Sequence, residues 1–162
     1  VGPWTDDAAF RPGPVMVSAR TNGAAVAAGG YVFVVGQASA EASTPRNLAL
    51  RSTAVLDAQT MTFTDAPLFM RRYGAAVVQL DADRVLVVGG FGGSTLNTTE
   101  ILHLSSNTVA PGPSMISSRL ACAAVALGGG RILVVGGCGD DRDQLSSTEI
   151  LSLDTMAFVP GP

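Results

Sequence analysis

Four short sequence blocks recur three times in this chain, always in the same order. Each unit opens on an arginine followed by small residues: Arg20 to Val26 (RTNGAAV), Arg71 to Val77 (RRYGAAV) and Arg119 to Val125 (RLACAAV). An apolar run ending in glycine comes next, at Val32 to Gly36, Val85 to Gly90 and Ile132 to Gly137. A third block spans Ser52 to Leu56, Thr98 to Leu102 and Ser147 to Leu151. Each unit closes on an apolar residue and proline, at Phe63 to Pro67, Val109 to Pro113 and Phe158 to Pro162. The opening arginines lie 51 and 48 residues apart. A period of this size marks a repeat architecture, in which each unit buries its apolar faces only against its neighbours.

The blocks read as four short strands per unit. First strands are expected over 23–28, 74–80 and 121–127, and second strands over 31–36, 84–89 and 131–136. The second strands are unbroken apolar runs, the pattern of a strand buried on both faces. Third strands fall at 53–58, 99–104 and 148–153, and fourth strands at 61–65, 107–110 and 156–159. Gly29-Gly30, Asp81 to Asp83 and Gly128 to Gly130 separate the first two strands with residues that suit tight hairpins. No stretch carries a capped helical period. Four strands in about fifty residues match one blade of a β-propeller.

Composition then removes several functions. All ten basic residues are arginine, so a P-loop lysine and a Schiff-base lysine are excluded. A net charge of −3 argues against a nucleic-acid groove. No window reaches the roughly 18–20 apolar residues of a membrane helix, and no targeting segment is visible, so a cytoplasmic location is expected. Cys122 and Cys138 are too few for a disulfide scaffold.

Candidate chemistry is sparse. Val88 to Gly93 (VGGFGG) lacks the third glycine and the following helix of a dinucleotide loop. Asp140, Asp141 and Asp143 share a loop but lack the further oxygen ligands and terminal glutamate of a calcium site. No metal and no cofactor are expected. His103 reads as a solvated strand residue, and Asn97-Thr98-Thr99 is a glycosylation sequon relevant only in the secretory pathway.

Over residues 15–162 the unit resembles the kelch repeat, in its arginine before the first strand, its Gly-Gly after the second and its Ser/Thr-Glu opening of the third. The tryptophan common in the fourth strand of such units is Phe63, Val109 and Phe158 here. The tyrosine often found before the di-glycine is Phe33, Leu86 and Leu133. The first unit has Gly36-Gln37 for Gly-Gly and Ala54 for Glu. The resemblance implies an all-β, kelch-type β-propeller: residues 1–14 as the terminal strand of a preceding blade, then blades at 15–67, 68–113 and 114–162. The preceding strand is suggested by Ala9 to Pro14, which matches Ala157 to Pro162 at five of six positions. Arg20, Arg71 and Arg119, with Glu100 and Glu149, are expected to form buried polar ties, and Gly36, Gly89, Gly90, Gly136 and Gly137 to admit a neighbouring blade.

Three blades fall short of the four to eight of a closed ring. The chain is therefore expected to be part of a longer propeller or, alternatively, to complete a six-bladed ring as a homodimer. The duplicated fourth strand counts against simple two-copy closure.

Kelch propellers include galactose-oxidase-like copper enzymes and sialic-acid epimerases. The copper site needs two tyrosines, a cysteine and two histidines, and this chain has one histidine. An epimerase pocket could draw on Arg72, Arg46, Arg51 and Glu41, but nothing selects them. The expected function is a non-catalytic scaffold that binds a protein partner. Its surface would lie on the loops 37–52, 91–98 and 138–147 and the inter-blade segments 14–20, 66–73 and 111–119, with Arg72, Tyr73, Arg46, Arg51, Phe91 and Arg142 as contacts. A purely structural arm of a larger assembly is the remaining alternative.

Overall fold

The computed structural model describes residues 12–38, 52–68, 70–141 and 143–162. Twelve strands form three four-stranded sheets, and the described residues contain no helix. The first blade comprises β1 (Arg20–Ala28), β2 (Tyr31–Ala38), β3 (Ser52–Asp57) and β4 (Thr62–Pro67). The second comprises β5 (Ala76–Gln79), β6 (Arg84–Val88), β7 (Thr99–His103) and β8 (Thr108–Pro111). The third comprises β9 (Ala123–Gly128), β10 (Arg131–Val135), β11 (Thr148–Ser152) and β12 (Ala157–Pro160). Each sheet is an antiparallel meander in sequence order.

The apolar second strands sit inside the sheets, as their composition requires. Val85, Leu86, Val87 and Val88 of β6 are all fully buried, because the second blade is covered on both faces. On one side Val85 and Val87 join a core with Phe33, Val35 and Val55 of the first blade. On the other, Leu86 and Val88 join Ile132, Val134 and Leu151 of the third. Alternate side chains thus serve alternate interfaces, the period-two consequence of strand geometry. The first strands of the three blades lie side by side, β1 against β5 and β5 against β9. Their Ala-Ala-Val composition permits this approach, since short side chains leave little bulk between sheets.

Cross-strand register aligns the repeats residue by residue. Val34 pairs with Ala25 and Ala54, Val87 with Val77 and Glu100, and Val134 with Ala124 and Glu149. Counting back five residues from Ala25, Val77 and Ala124 reaches Arg20, Arg72 and Arg119. The opening arginine of the second unit is therefore Arg72, and the alignment on Arg71 is one residue out. Backbone angles agree: the left-handed residue two places later is Asn22, Gly74 and Ala121, with φ of 49°, 60° and 55°.

The terminal strand of a preceding blade expected within 1–14 falls mostly outside the described residues, and 12–14 carry no strand. No helix among the described residues is long and apolar enough to cross a membrane.

Candidate interaction face

At one edge of the second and third blades the strand 2–3 loop gathers with the segment that leads in from the preceding blade. These segments must be held without regular structure, and a buried arginine does it in both blades. Arg119 Nε donates to Glu149 Oε1 at 3.1 Å. Its Nη1 donates to the carbonyls of Gly136 (2.8 Å) and Ser147 (2.9 Å), and its Nη2 to Ser147 Oγ (2.9 Å). The Glu149 carboxylate also accepts from the backbone N–H of Ile116 (2.6 Å) and Ser117 (3.0 Å) in the inter-blade segment.

Arg72 repeats this arrangement. Its Nε donates to Glu100 Oε1 at 2.7 Å, its Nη1 to the carbonyls of Gly89 (2.8 Å) and Thr98 (2.9 Å), and its Nη2 to Thr98 Oγ1 (2.9 Å). Glu100 also accepts from the Met70 N–H at 3.2 Å. Arg72 and Arg119 are 1% and 0% exposed. Such ion pairs survive burial because nearly every donor and lone pair is matched.

The first blade pairs its arginine with a different carboxylate. Ala54 stands where Glu100 and Glu149 stand, and its cross-strand neighbour is Asp65, at the position of Pro111 and Pro160. Arg20 Nη2 donates to Asp65 Oδ1 at 3.2 Å. The carboxylate has moved across one strand pair. Burial lowers the Arg20 pKa, and the charge and hydrogen bond of Asp65 work the other way.

A second repeated tie was not read from the sequence. Thr99 and Thr148 donate their hydroxyls to the carbonyls of Pro113 (2.7 Å) and Pro162 (2.8 Å), fastening the chain just beyond strand four. Thr53, at the same place in the first blade, donates instead to the carbonyl of Ala66 within β4, at 3.4 Å. The recurrence of threonine beside the third-block position was the available signal.

The expected contact residues separate under this geometry. Arg72 is buried in a tie and presents nothing to a partner, a correction that follows from the one-residue shift of register. Arg71, expected to form the tie, is exposed instead. Tyr73 and Phe91 come together: each backbone N–H donates to the other's carbonyl (3.1 and 2.9 Å), and the ring centroids are 5.3 Å apart at 47°. Both are half-buried, with exposed Met70 and Arg71 on the same inter-blade segment. Thr95 Oγ1 lies 3.5 Å from the Gly139 carbonyl, linking this loop to the loop of exposed Asp140, Asp141 and Asp143. Glu41, Arg46, Arg51 and Arg142 lie outside the described residues.

The expected glycines split likewise. Gly89, Gly90, Gly136 and Gly137 all have positive φ, whereas Gly36 is an ordinary strand residue.

Two recesses accompany this framework. One of about 450 Å3 lies where the first strands meet, bordered by Asn22, Gly74, Ala121, Tyr73 and Leu120. Cys122 also borders it, its thiol pKa pushed up mainly by burial. The other, about 220 Å3, opens between the first two blades at the opposite edge, lined by Tyr31, Phe33, Leu102 and His103. His103 Nδ1 is 4.0 Å from Asp83 Oδ2. Among the described residues no group of three or more His, Cys, Asp or Glu converges on a point where a metal could bind.

Three consecutive four-stranded meanders, each with an arginine paired to a carboxylate and the second and third also tied by it to their strand 2–3 loops, define an all-β repeat chain of the blade type. The model of the kelch motif matches residues 71–116 and 119–162, more than half the chain and coincident with the second and third blades. The chain belongs to the kelch-repeat family. No curated protein matches it.

Proposed function

We propose that this kelch-repeat chain is a non-catalytic scaffold that binds a protein partner through the loop face around Tyr73, Phe91 and Arg71. The observation that supports this most is the Tyr73–Phe91 pair. Two mutual backbone hydrogen bonds and a ring contact hold both aromatics in place. Prepositioned aromatic surface loses little side-chain freedom on binding, which is why aromatics and arginine anchor interfaces. Arg71 adds a guanidinium not engaged in the buried ties, suited to a carboxylate of the partner. A cytoplasmic setting belongs to the same reading, supported by the two free thiols of Cys122 and Cys138.

The test compares capture of partners by the wild-type chain with capture by Arg71→Glu and Phe91→Ala. Specific partners should be depleted at least tenfold in both variants, with melting temperatures close to wild type. Equal capture by all three proteins would refute the assignment of this face.

A further inference from the structure

The joint between blades 1 and 2 and the joint between blades 2 and 3 are built from matching residues, with a difference at one position. Toward the preceding blade, blade 2 presents Val85, Val87, Leu102 and Val109, and blade 3 presents Ile132, Val134, Leu151 and Phe158. Cross-strand register makes the two sets equivalent. Leu102 pairs with Val85 and Val109 as Leu151 pairs with Ile132 and Phe158. The Phe158 side chain packs against the core of its joint, whereas a valine stands at the same place in the joint between blades 1 and 2.

The recess of about 220 Å3 between blades 1 and 2 opens there. Leu102, the cross-strand partner of Val109, and Thr108, its chain neighbour, both line it. The facing wall is Phe33 and Val55 of blade 1, 3% and 8% exposed. Both walls lie within this chain, and β4 and β8 also touch across the joint. An apolar cavity of about 150 Å3 accepts benzene, so this recess has room for a single ring with a short substituent.

Tyr31 and His103 also border the recess, and His103 Nδ1 lies 4.0 Å from Asp83 Oδ2. The Asp83 carboxylate is held by the N–H (2.8 Å) and hydroxyl (3.2 Å) of Ser105. Among the described residues it has no arginine partner, since neighbouring Arg84 pairs with Asp81 at 2.6 Å. A fixed carboxylate beside an aromatic-lined apolar recess complements a cation carried on a ring.

We propose that this recess binds a small free molecule made of one aromatic ring and an ammonium group. The ring takes the place that Phe158 fills in the next joint, and the ammonium lies toward Asp83. The recess opens at the edge opposite the loop face, so this site is separate from the surface around Tyr73 and Phe91.

NMR titration of the backbone amides of the 162-residue chain with phenethylamine tests this. Phe33, Val55, Leu102 and His103 should shift saturably with a Kd of about 1 mM, ordinary for so small a ligand. The neutral isostere phenethyl alcohol should bind about threefold more weakly, the scale of an exposed ion pair, and Asp83→Asn should erase that difference. Val109→Phe supplies the ring from the protein itself and should weaken both ligands at least tenfold. Thr64→Phe, on the exposed outer strand of blade 1, obstructs the recess from the other side with the same effect, and circular dichroism checks each fold. The proposal is overturned by the absence of saturable shifts up to about 20 mM, by shifts centred on Tyr73 and Leu120, or by unchanged affinity in the folded Val109→Phe and Thr64→Phe variants. A preference for the amine that survives Asp83→Asn would overturn the placing of the ammonium. Tighter binding of N-acetylphenylalanine amide than of phenethylamine would overturn the free molecule in favour of a protein side chain.

Discussion

Arg119 and Arg72 each place a guanidinium where water does not reach, so removing one leaves its glutamate buried without a cation. Breaking such a pair typically destabilises by about 3–5 kcal/mol. Arg119→Ala and Arg72→Ala should both lose stability on that scale in urea unfolding, while Arg71→Ala stays within about 0.5 kcal/mol, as exposed surface changes usually do. Arg72→Lys should recover little, since one ammonium cannot span Glu100, two carbonyls and the Thr98 hydroxyl. The error over Arg71 has a physical origin. The small-residue run after the arginine tolerates a shift, because its left-handed position is satisfied by Asn22, Gly74 or Ala121 alike. The distance to the di-glycine does not tolerate one: Arg72 to Gly89 and Arg119 to Gly136 are both 17 residues. Asp65 was hidden for a different reason, since a carboxylate that crosses to the next strand leaves no trace at its old position. The left-handed alanine yields a prediction of its own. A non-glycine residue there costs roughly 1–2 kcal/mol, partly offset by the greater unfolded freedom of glycine. Ala121→Gly should therefore stabilise the chain by about 0.5–1 kcal/mol, read as a higher urea midpoint at unchanged slope.

Strand positions were legible to within three residues because each strand is a run of apolar or β-branched residues between turn residues. What periodicity could not show was which face of each strand meets which neighbour, since the second strands are apolar on both. The glycines after those strands expose the difference between an interior and a terminal blade. Gly89 and Gly136 occupy equivalent places, each with φ of 61°. A Cβ at Gly89 would collide with the Arg119 carbonyl of the next inter-blade segment, and would press Met115 Cε at 3.2 Å. At Gly136 the nearest atom is the Leu145 carbonyl oxygen, at 3.4 Å. Both alanine variants bear the left-handed strain of about 1–2 kcal/mol, but only Gly89→Ala must also displace a backbone segment. Gly89→Ala should thus cost at least about 1 kcal/mol more than Gly136→Ala in equilibrium unfolding of the monomer. Equal losses would mean that the blade 2–3 joint is looser than its geometry indicates.

Across the whole molecule, stability should follow coverage. In repeat arrays each unit is held by its own contacts and by the neighbours on either side. Blade 2 has two such neighbours, and β6 carries four consecutive side chains with no exposure. Among the described residues blades 1 and 3 each pack against one other blade, and β9 and β12 are exposed along most of their length. Backbone amides open locally with free energies that track this burial. Hydrogen exchange of the monomeric chain should therefore be slowest at Arg84–Val88 and Thr99–His103, and faster by at least tenfold at Ala123–Gly128 and Ala157–Pro160. Uniform protection across all three blades would instead indicate that the sheets unfold as one unit, with no difference between the covered and the open blades.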